Sequence, residues 1–412
     1  MFSRRGDFVL DTGKSCIING ITVDTAGSIL ELIRRVGTTT RSQLADATGL
    51  ARSTIADRVE RLIAEGLVAE IGEAPSSGGR PPTLLGLNAG AGAILAADLG
   101  ATHGRLAVCD LGGAAIADRA VDIDIASGPG PVLSEVEKIF LELLSECDRG
   151  PRDVMGVGIG VPGPVEFAAG RAVSPPIMPG WDGYPIRDRF VARFGVPVLV
   201  DNDVNIMALG EHWVQPNPPD DFLFIKVGTG IGSGLILGGR LHRGAQGAAG
   251  DLGHVQVADA ADVLCGCGNT GCLETVAGGR ALARALRDEG LEAPDSRAVV
   301  SLVKAGNRAA IAAVRTAGRL IGQVLASTVN LLNPALIVVG GDIAEADEQL
   351  FAGMREVAYR RSTALATSRL QIVQSSLGDR AGMTGAAAMV IEHVLAPSWI
   401  DSNLQVSARA AM

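Results

Sequence analysis

Aromatic residues are scarce in this chain: they make up 3% of 412 residues, with two Tyr and three Trp. That scarcity argues against a ring-rich β-sandwich core. The 54 glycines and 47% apolar content suit an α/β design of short strands, tight turns and aliphatic packing. At this length the chain has room for two or three domains. Positive charge is also short. A net charge of −9 excludes wholesale coating of nucleic acid or an anionic membrane, and leaves room only for a small DNA-reading module. Met1–Gly27 contains no continuous apolar segment of the secretory type, so a cytoplasmic location is expected.

The long uncharged run Leu320–Gly341 is interrupted by Gln323, Ser327, Thr328, Asn330, Asn333 and Pro334. It reads as a buried helix to about Leu332, an Asn-Pro turn and a buried strand, so no membrane partner is expected.

Residues 1–24 show no periodicity and read as a flexible leader. From there "TAGSILELIRRVG" sets Ile29, Leu32, Ile33 and Val36 at helical spacing up to Gly37. "TTRSQLADATGL" is a short helix stopped at a Thr-Gly turn. "ARSTIADRVERLIAEGL" carries Ile55, Val59, Leu62 and Ile63 on one face. Three helices with a tight glycine turn before the third form the pattern of a helix-turn-helix. The start of the third helix would enter the major groove of double-stranded operator DNA, with Arg52, Ser53, Thr54 and Arg58 opposite the apolar face. Two strand-like runs around "APSSGGRPP" form a wing, and Arg80 is its cationic finger toward a minor groove. Between Thr25 and Leu85 seven Arg and no Lys face seven acidic residues, so charge alone does not mark this module, and Ala51 is a poor N-cap. The winged helix-turn-helix is expected to cover 25–88.

From Ala93 the texture changes to β-rich alternation. "ILAADLGATHGRLAVCDLGG" and "FLFIKVGTGIGSGLILGGRLHRG" repeat one plan about 130 residues apart: strand, Gly/Thr turn, strand, Gly-Gly turn. Such turns leave backbone N–H groups free for a phosphate, here at Asp98, Gly100 and Thr102 and at Gly228, Thr229 and Gly230. A duplicated α/β fold with a cleft between its halves follows. "IVVGGDIA" (Ile337–Ala344) either meets a nucleotide base or simply ends a strand. In "VPVLVDNDVNIMALGEHW" an apolar strand ends at Asp201-Asn202-Asp203. These residues suit either hydrogen bonding to a sugar or capping of the next helix, and Asp203 could serve as a general base.

In "LCGCGNTGCLE", three cysteines of the chain's six fall within eight residues. His254 precedes Cys265 by eleven residues, and Cys267 and Cys272 follow. One imidazole and three thiolates make a closed tetrahedral set for structural Zn²⁺. Cysteines two apart do not readily bridge each other, and a redox switch would lack a distinct resolving partner. Cys16, Cys109 and Cys147 are scattered and read as plain thiols, Cys109 buried in a strand.

The Cys-x-Cys-Gly-x-x-Gly-Cys-Leu-Glu stretch, with "GHVQV", "VDNDVN…ALGE" and the two glycine hairpins, resembles the ROK family (repressors, open reading frames and kinases) over about residues 90–390. The winged helix in front resembles its repressor branch. The resemblance implies an actin-like fold of two RNase H-like halves, placed here at 89–396 and followed by a tail at 397–412. It also implies a small sugar effector bound by Gly163, Asn202, Asp203, Asp251, His254 and Glu274, with Asp203 the catalytic base only in a kinase. Zinc would fix the loop that presents His254 and Glu274. Two departures from the kinases stand out. Asp-x-Gly-Gly-Thr with a following Lys or Asn is here Asp98-Leu99-Gly100-Ala101-Thr102-His103, and Gly-Glu-x-Gly-His is here Gly250-Asp251-Leu252-Gly253-His254. Together they argue against phosphoryl transfer and remain compatible with sugar binding, in which the shorter Asp251 would lose its contact or make it through water. The expected function is therefore a sugar-responsive, DNA-binding regulator, a homodimer or tetramer. The alternative is a zinc-containing, ATP- and Mg²⁺-dependent hexose kinase.

Overall fold

The computed structural model describes residues 17–18, 21–75, 81–346 and 348–410. Most of the expected leader, Cys16 and Arg80, expected as the wing's cationic finger, lie outside them. Of the leader, Ile17–Ile18 pairs antiparallel with Ile21–Thr22.

Three helices follow: α1 (Ala26–Val36), α2 (Arg41–Thr48) and α3 (Arg52–Ala64). Thr25 and Thr40 begin the first two with reciprocal capping boxes through Ser28 and Gln43, which satisfies backbone N–H groups that a helix start leaves free. Gly49 ends α2 in the left-handed conformation, and Gly66 turns the chain after α3 at φ +73°. Ala51 gives α3 no side-chain cap, as its residue type implies. Ile29, Ile33, Leu44, Ile55, Val59 and Leu62 form the core. The wing is the antiparallel pair Val68–Glu73 and Thr83–Leu87, with Thr39–Thr40 completing a three-stranded sheet.

The body contains two five-stranded sheets of identical plan. In the first, Ala93–Leu99, His103–Cys109 and Ala115–Asp122 run as an antiparallel meander, and Val154–Val161 and Val198–Asn202 add parallel on the other side. In the second, Phe222–Val227, Ile231–Leu237 and Arg240–Leu241 form the meander, and Leu336–Gly340 and Gln371–Gln374 add parallel. The duplication expected from the two glycine hairpins is therefore present strand for strand. Arg308–Leu332 is the helix, among the described residues, long and apolar enough to cross a membrane. It packs instead against Glu348–Arg361, close enough that a Cβ on Gly353 would lie 2.4 Å from the Arg315 carbonyl oxygen. It ends at Asn333 (φ +47°) and gives way to the strand Leu336–Gly340, as the Asn-Pro signal indicated.

Two helices tie the parts together. Ala381–Val394 lies against Asp203–Val214 with almost no space between the backbones: a Cβ on Gly385 would sit 1.6 Å from the Ile206 carbonyl oxygen, and one on Gly210 2.1 Å from that of Ala381. The stretch 397–412, expected as a tail, is a helix over Pro397–Ala410. Its Asp401 Oδ1 accepts a 2.9 Å hydrogen bond from Gly27 N in α1, and Ile400 is buried. Proline at the first helical position and a partner face on α1 explain why this segment folds.

Candidate functional site

A cleft of about 1570 Å³ opens between the two sheets. Its walls bring together every residue expected for the sugar and phosphate sites: Asp98, Gly100, Thr102, Gly163, Asn202, Asp203, Gly228, Thr229, Gly230, Asp251, His254 and Glu274. The strand Val198–Asn202 delivers Asn202 and Asp203 to the start of a helix. Asn202 is the cap: its Oδ1 accepts from Val204 N (2.9 Å) and Asn205 N (3.3 Å), and its Nδ2 donates to Gly163 O (2.9 Å) and Asp203 Oδ1 (3.0 Å). Of the two readings of this stretch, capping therefore describes Asn202. Asp203, one residue on, turns its carboxylate into the cleft.

There Asp203 Oδ2 accepts a 2.6 Å hydrogen bond from Lys226 Nζ. Lys226, on the strand Phe222–Val227, was absent from the sequence reading, although a lone lysine in an otherwise apolar run before a glycine turn was a visible signal. Burial works against its charge, but Asp203, Asp98 and the hydrogen bond to Asp203 outweigh it and hold the ammonium above its ordinary value. Asp98 is buried at the end of its own strand, and that burial lifts its carboxyl to about 7, with Lys226 opposing and Asp203 adding to the rise. Glu211 was also missed, and Asp201, read with Asn202 and Asp203 as a sugar or capping residue, is instead paired inside the protein. Asp201 Oδ2 accepts from Arg243 Nε at 2.7 Å, and that guanidinium stacks 3.8 Å over the Phe167 ring. Glu211 is fully buried and accepts hydrogen bonds from Ser375 Oγ, Ser376 Oγ (3.0 Å) and Leu377 N (2.9 Å), which pins the segment entering Ala381–Val394.

At the side of the cleft, one ligand atom each from His254, Cys265, Cys267 and Cys272 lie within 4.8 Å of one another. His254 Nδ1 is 3.6 Å from Cys265 Sγ, and Cys267 Sγ is 3.7 Å from Cys272 Sγ. Tetrahedral zinc with bonds of about 2.3 Å to sulfur needs sulfur–sulfur edges of about 3.8 Å, so this donor set fits a metal ion as it stands. Burial pushes the Cys265 thiol up to about 12, and a hydrogen bond from the Asn269 backbone holds Cys267 below its ordinary value. A bound dication deprotonates such thiols outright. His254 turns Nδ1 to this set and Nε2 toward Asp251 Oδ1 at 3.9 Å. Burial raises Asp251 above the usual carboxylate range, with His254 pulling the other way. Glu274 Oε1 lies 3.2 Å from Cys265 Sγ, and a Cβ on Gly230 would meet its Oε2 at 2.7 Å. The cysteine loop is thus in direct contact with the second glycine turn.

On α3, Arg52 and Ser53 are exposed and Thr54 is half-buried at the end that would enter a groove. Arg58 departs from expectation. It is half-buried, with its Nη1 shielded and without a hydrogen-bond partner. Arg41 is engaged by Glu60 (2.9 Å) and Glu70 (3.1 Å).

The ROK family model matches residues 94–393, and a winged helix-turn-helix DNA-binding model matches 24–69. The xylose repressor of Caldicellulosiruptor bescii is 30% identical over 369 residues, 86% of this chain and 92% of that protein. The crystal structure of a ROK family transcriptional regulator, a homologue of the E. coli MLC protein, superposes with a TM-score of 0.77 at 28% identity, covering 92% of this chain and 98% of that one. A ROK family glucokinase from Streptomyces griseus, in complex with glucose and AMPPNP, gives a TM-score of 0.61 at 28% identity over 72% of this chain and 99% of its own.

Proposed function

The chain belongs to the ROK family, and from that premise we propose that it is a sugar-responsive transcriptional regulator of the repressor type, with structural zinc and no phosphoryl transfer. The observation that carries this reading is the continuous packing from cleft to DNA-binding module. Asp203 opens the helix Asp203–Val214, which meets Ala381–Val394 at Gly210 and Gly385. The next helix, Pro397–Ala410, holds α1 through Asp401 and Gly27. A sugar that favours one arrangement of the two sheets shifts this chain of helices, and with it the winged domain. A sugar with equal affinity for both arrangements would switch nothing.

Asp203, Asp251, His254 and Glu274 hold the sugar, Asn202 and Gly163 shape its floor, and zinc on His254, Cys265, Cys267 and Cys272 fixes the loop that presents His254 and Glu274. Arg52, Ser53 and Thr54, with Arg80 at the wing tip, contact the operator. A homodimer presents two such helices to two half-sites. The likeness to glucokinases keeps a kinase as the second reading, because Asp98, Asp203 and both glycine turns are retained.

The test is a titration of the full-length protein on its own upstream DNA at fixed salt, with a sugar panel that begins with xylose, glucose and N-acetylglucosamine. Specific binding that one sugar weakens supports the reading, and the absence of specific binding defeats it. Arg52→Ala should weaken operator binding about tenfold or more and leave sugar affinity unchanged.

A further inference from the structure

Phosphoryl transfer needs a divalent cation to gather phosphate oxygens and the nucleophile, and such hard cations are held by carboxylates. The cleft has two candidates, Asp98 and Asp203, each at the end of its own sheet's strand. Beside Asp203 stands a third charge. Lys226 Nζ donates to Asp203 Oδ2 at 2.6 Å, and its charge acts on Asp98 as well. Asp203 Oδ1 accepts from Asn202 at 3.0 Å, so each oxygen of the expected base is already engaged. Lys226 extends from a strand whose neighbours Ile225 and Val227 are buried, and it is screened from solvent on most of its length. It is not a surface lysine that happens to lie nearby.

We propose that Lys226 is a built-in cation that keeps this cleft a binding site: its tethered ammonium takes the place beside the Asp203 carboxylate that a catalytic divalent metal would need. The inference rests on the reading of the cleft as one that binds sugar without phosphorylating it. The ammonium offsets the Asp203 carboxylate with which it is paired, and its positive charge repels a dication. It also holds the Asp203 carboxylate in place to accept hydrogen bonds from sugar hydroxyls. A chain that has lost this lysine should regain an oxygen site for a hard metal ion.

The experiment is a Mn²⁺ titration of zinc-replete, full-length protein, read from the electron paramagnetic resonance signal of free Mn²⁺. Wild type, Lys226→Met, Lys226→Arg and the double variant Lys226→Met with Asp203→Asn are compared. Lys226→Met should bind one Mn²⁺ per chain at least about tenfold more tightly than wild type, and Asp203→Asn should abolish that gain. Lys226→Arg, which keeps the charge, should behave as wild type. Lys226→Gln replaces Lys226→Met if the latter fails to fold by thermal melting. Wild-type protein that binds Mn²⁺ through Asp203 as tightly as the neutral variant would overturn the proposal, and so would a folded neutral variant with no gain. Neither readout involves DNA or sugar, so failure here is distinct from failure of the regulator reading.

Discussion

The two glycine turns of the cleft occupy equivalent positions in equivalent sheets, yet they are supported in opposite ways. The first, Asp98–His103, closes on itself through Gly100 N to His103 O (2.8 Å). Its carbonyls at Ala101 and Thr102 are taken by Ile125 N (3.1 Å) and Ile123 N (3.2 Å), in an aliphatic segment of the same half. The second, Lys226–Gly230, closes through Gly228 N to Gly230 O (3.0 Å) and leans on the cysteine loop, where Glu274 abuts Gly230. Its carbonyls are taken by Gly279 N (2.8 Å) and Arg280 N (3.0 Å), just beyond that loop. Duplication supplied the scaffold twice. What differs is the backing: the first turn is supported by ordinary packing, the second by a cluster that can hold a metal. Changes on the two sides should therefore differ in size and kind.

The largest effect belongs to the metal side. Cys272→Ser should reduce bound zinc from one per chain to near none by elemental analysis. It should also lower the melting temperature by several degrees and weaken sugar binding, because the loop carrying His254 and Glu274 loses its anchor. Retention of full zinc content and sugar affinity would mean the cysteines are passive. Next comes Gly230→Ala, whose Cβ must displace the Glu274 carboxylate from 2.7 Å. Because that carboxylate ends a flexible side chain, the cost should be below about 1 kcal/mol of stability, with weakened sugar binding measured by calorimetry.

On the first turn the expected effects depend on pH. Asp98 ordinarily titrates near 3.8 and does so near 7 in the folded chain, so between these values the native state holds a proton that the unfolded state has released. Stability from this group is present at low pH and is lost as pH rises toward and past 7. Asp98→Asn removes that loss, so its melting temperature relative to wild type should climb between pH 5 and pH 8, by an equivalent of roughly 2–3 kcal/mol. A pH-independent difference would place the cause elsewhere. The smallest change is Ala101→Gly, which restores the usual kinase residue. It should cost less than about 1 kcal/mol through added freedom of the unfolded chain and should create no ATP turnover while Lys226 remains.

Local signals made much of this legible in sequence. The glycine stops after the helices, the Asn-Pro junction at Asn333 and the His254–Cys272 spacing each work within a few residues, and each appears where expected. What sequence did not disclose depends on partners far away in the chain. Pro397–Ala410 has little periodicity of its own and becomes a helix against α1, 374 residues earlier at the Gly27–Asp401 contact. Lys226 acquires meaning only beside Asp203 and Asp98. Arg58 has the right spacing for a DNA contact, but its side chain is half-buried, which helical spacing alone does not disclose. Asn202 was balanced between cap and ligand, and its hydrogen bonds, which no spacing rule contains, assign it the cap.

The most direct test of the link between cleft and DNA is operator affinity at fixed salt across a titration of the sugar found to bind, in wild type and in Asp203→Asn. The expected result is a progressive, saturable loss of DNA affinity in wild type that is absent in Asp203→Asn, while both bind DNA equally well without sugar. Sugar that binds the wild-type cleft and leaves operator affinity unchanged would contradict it.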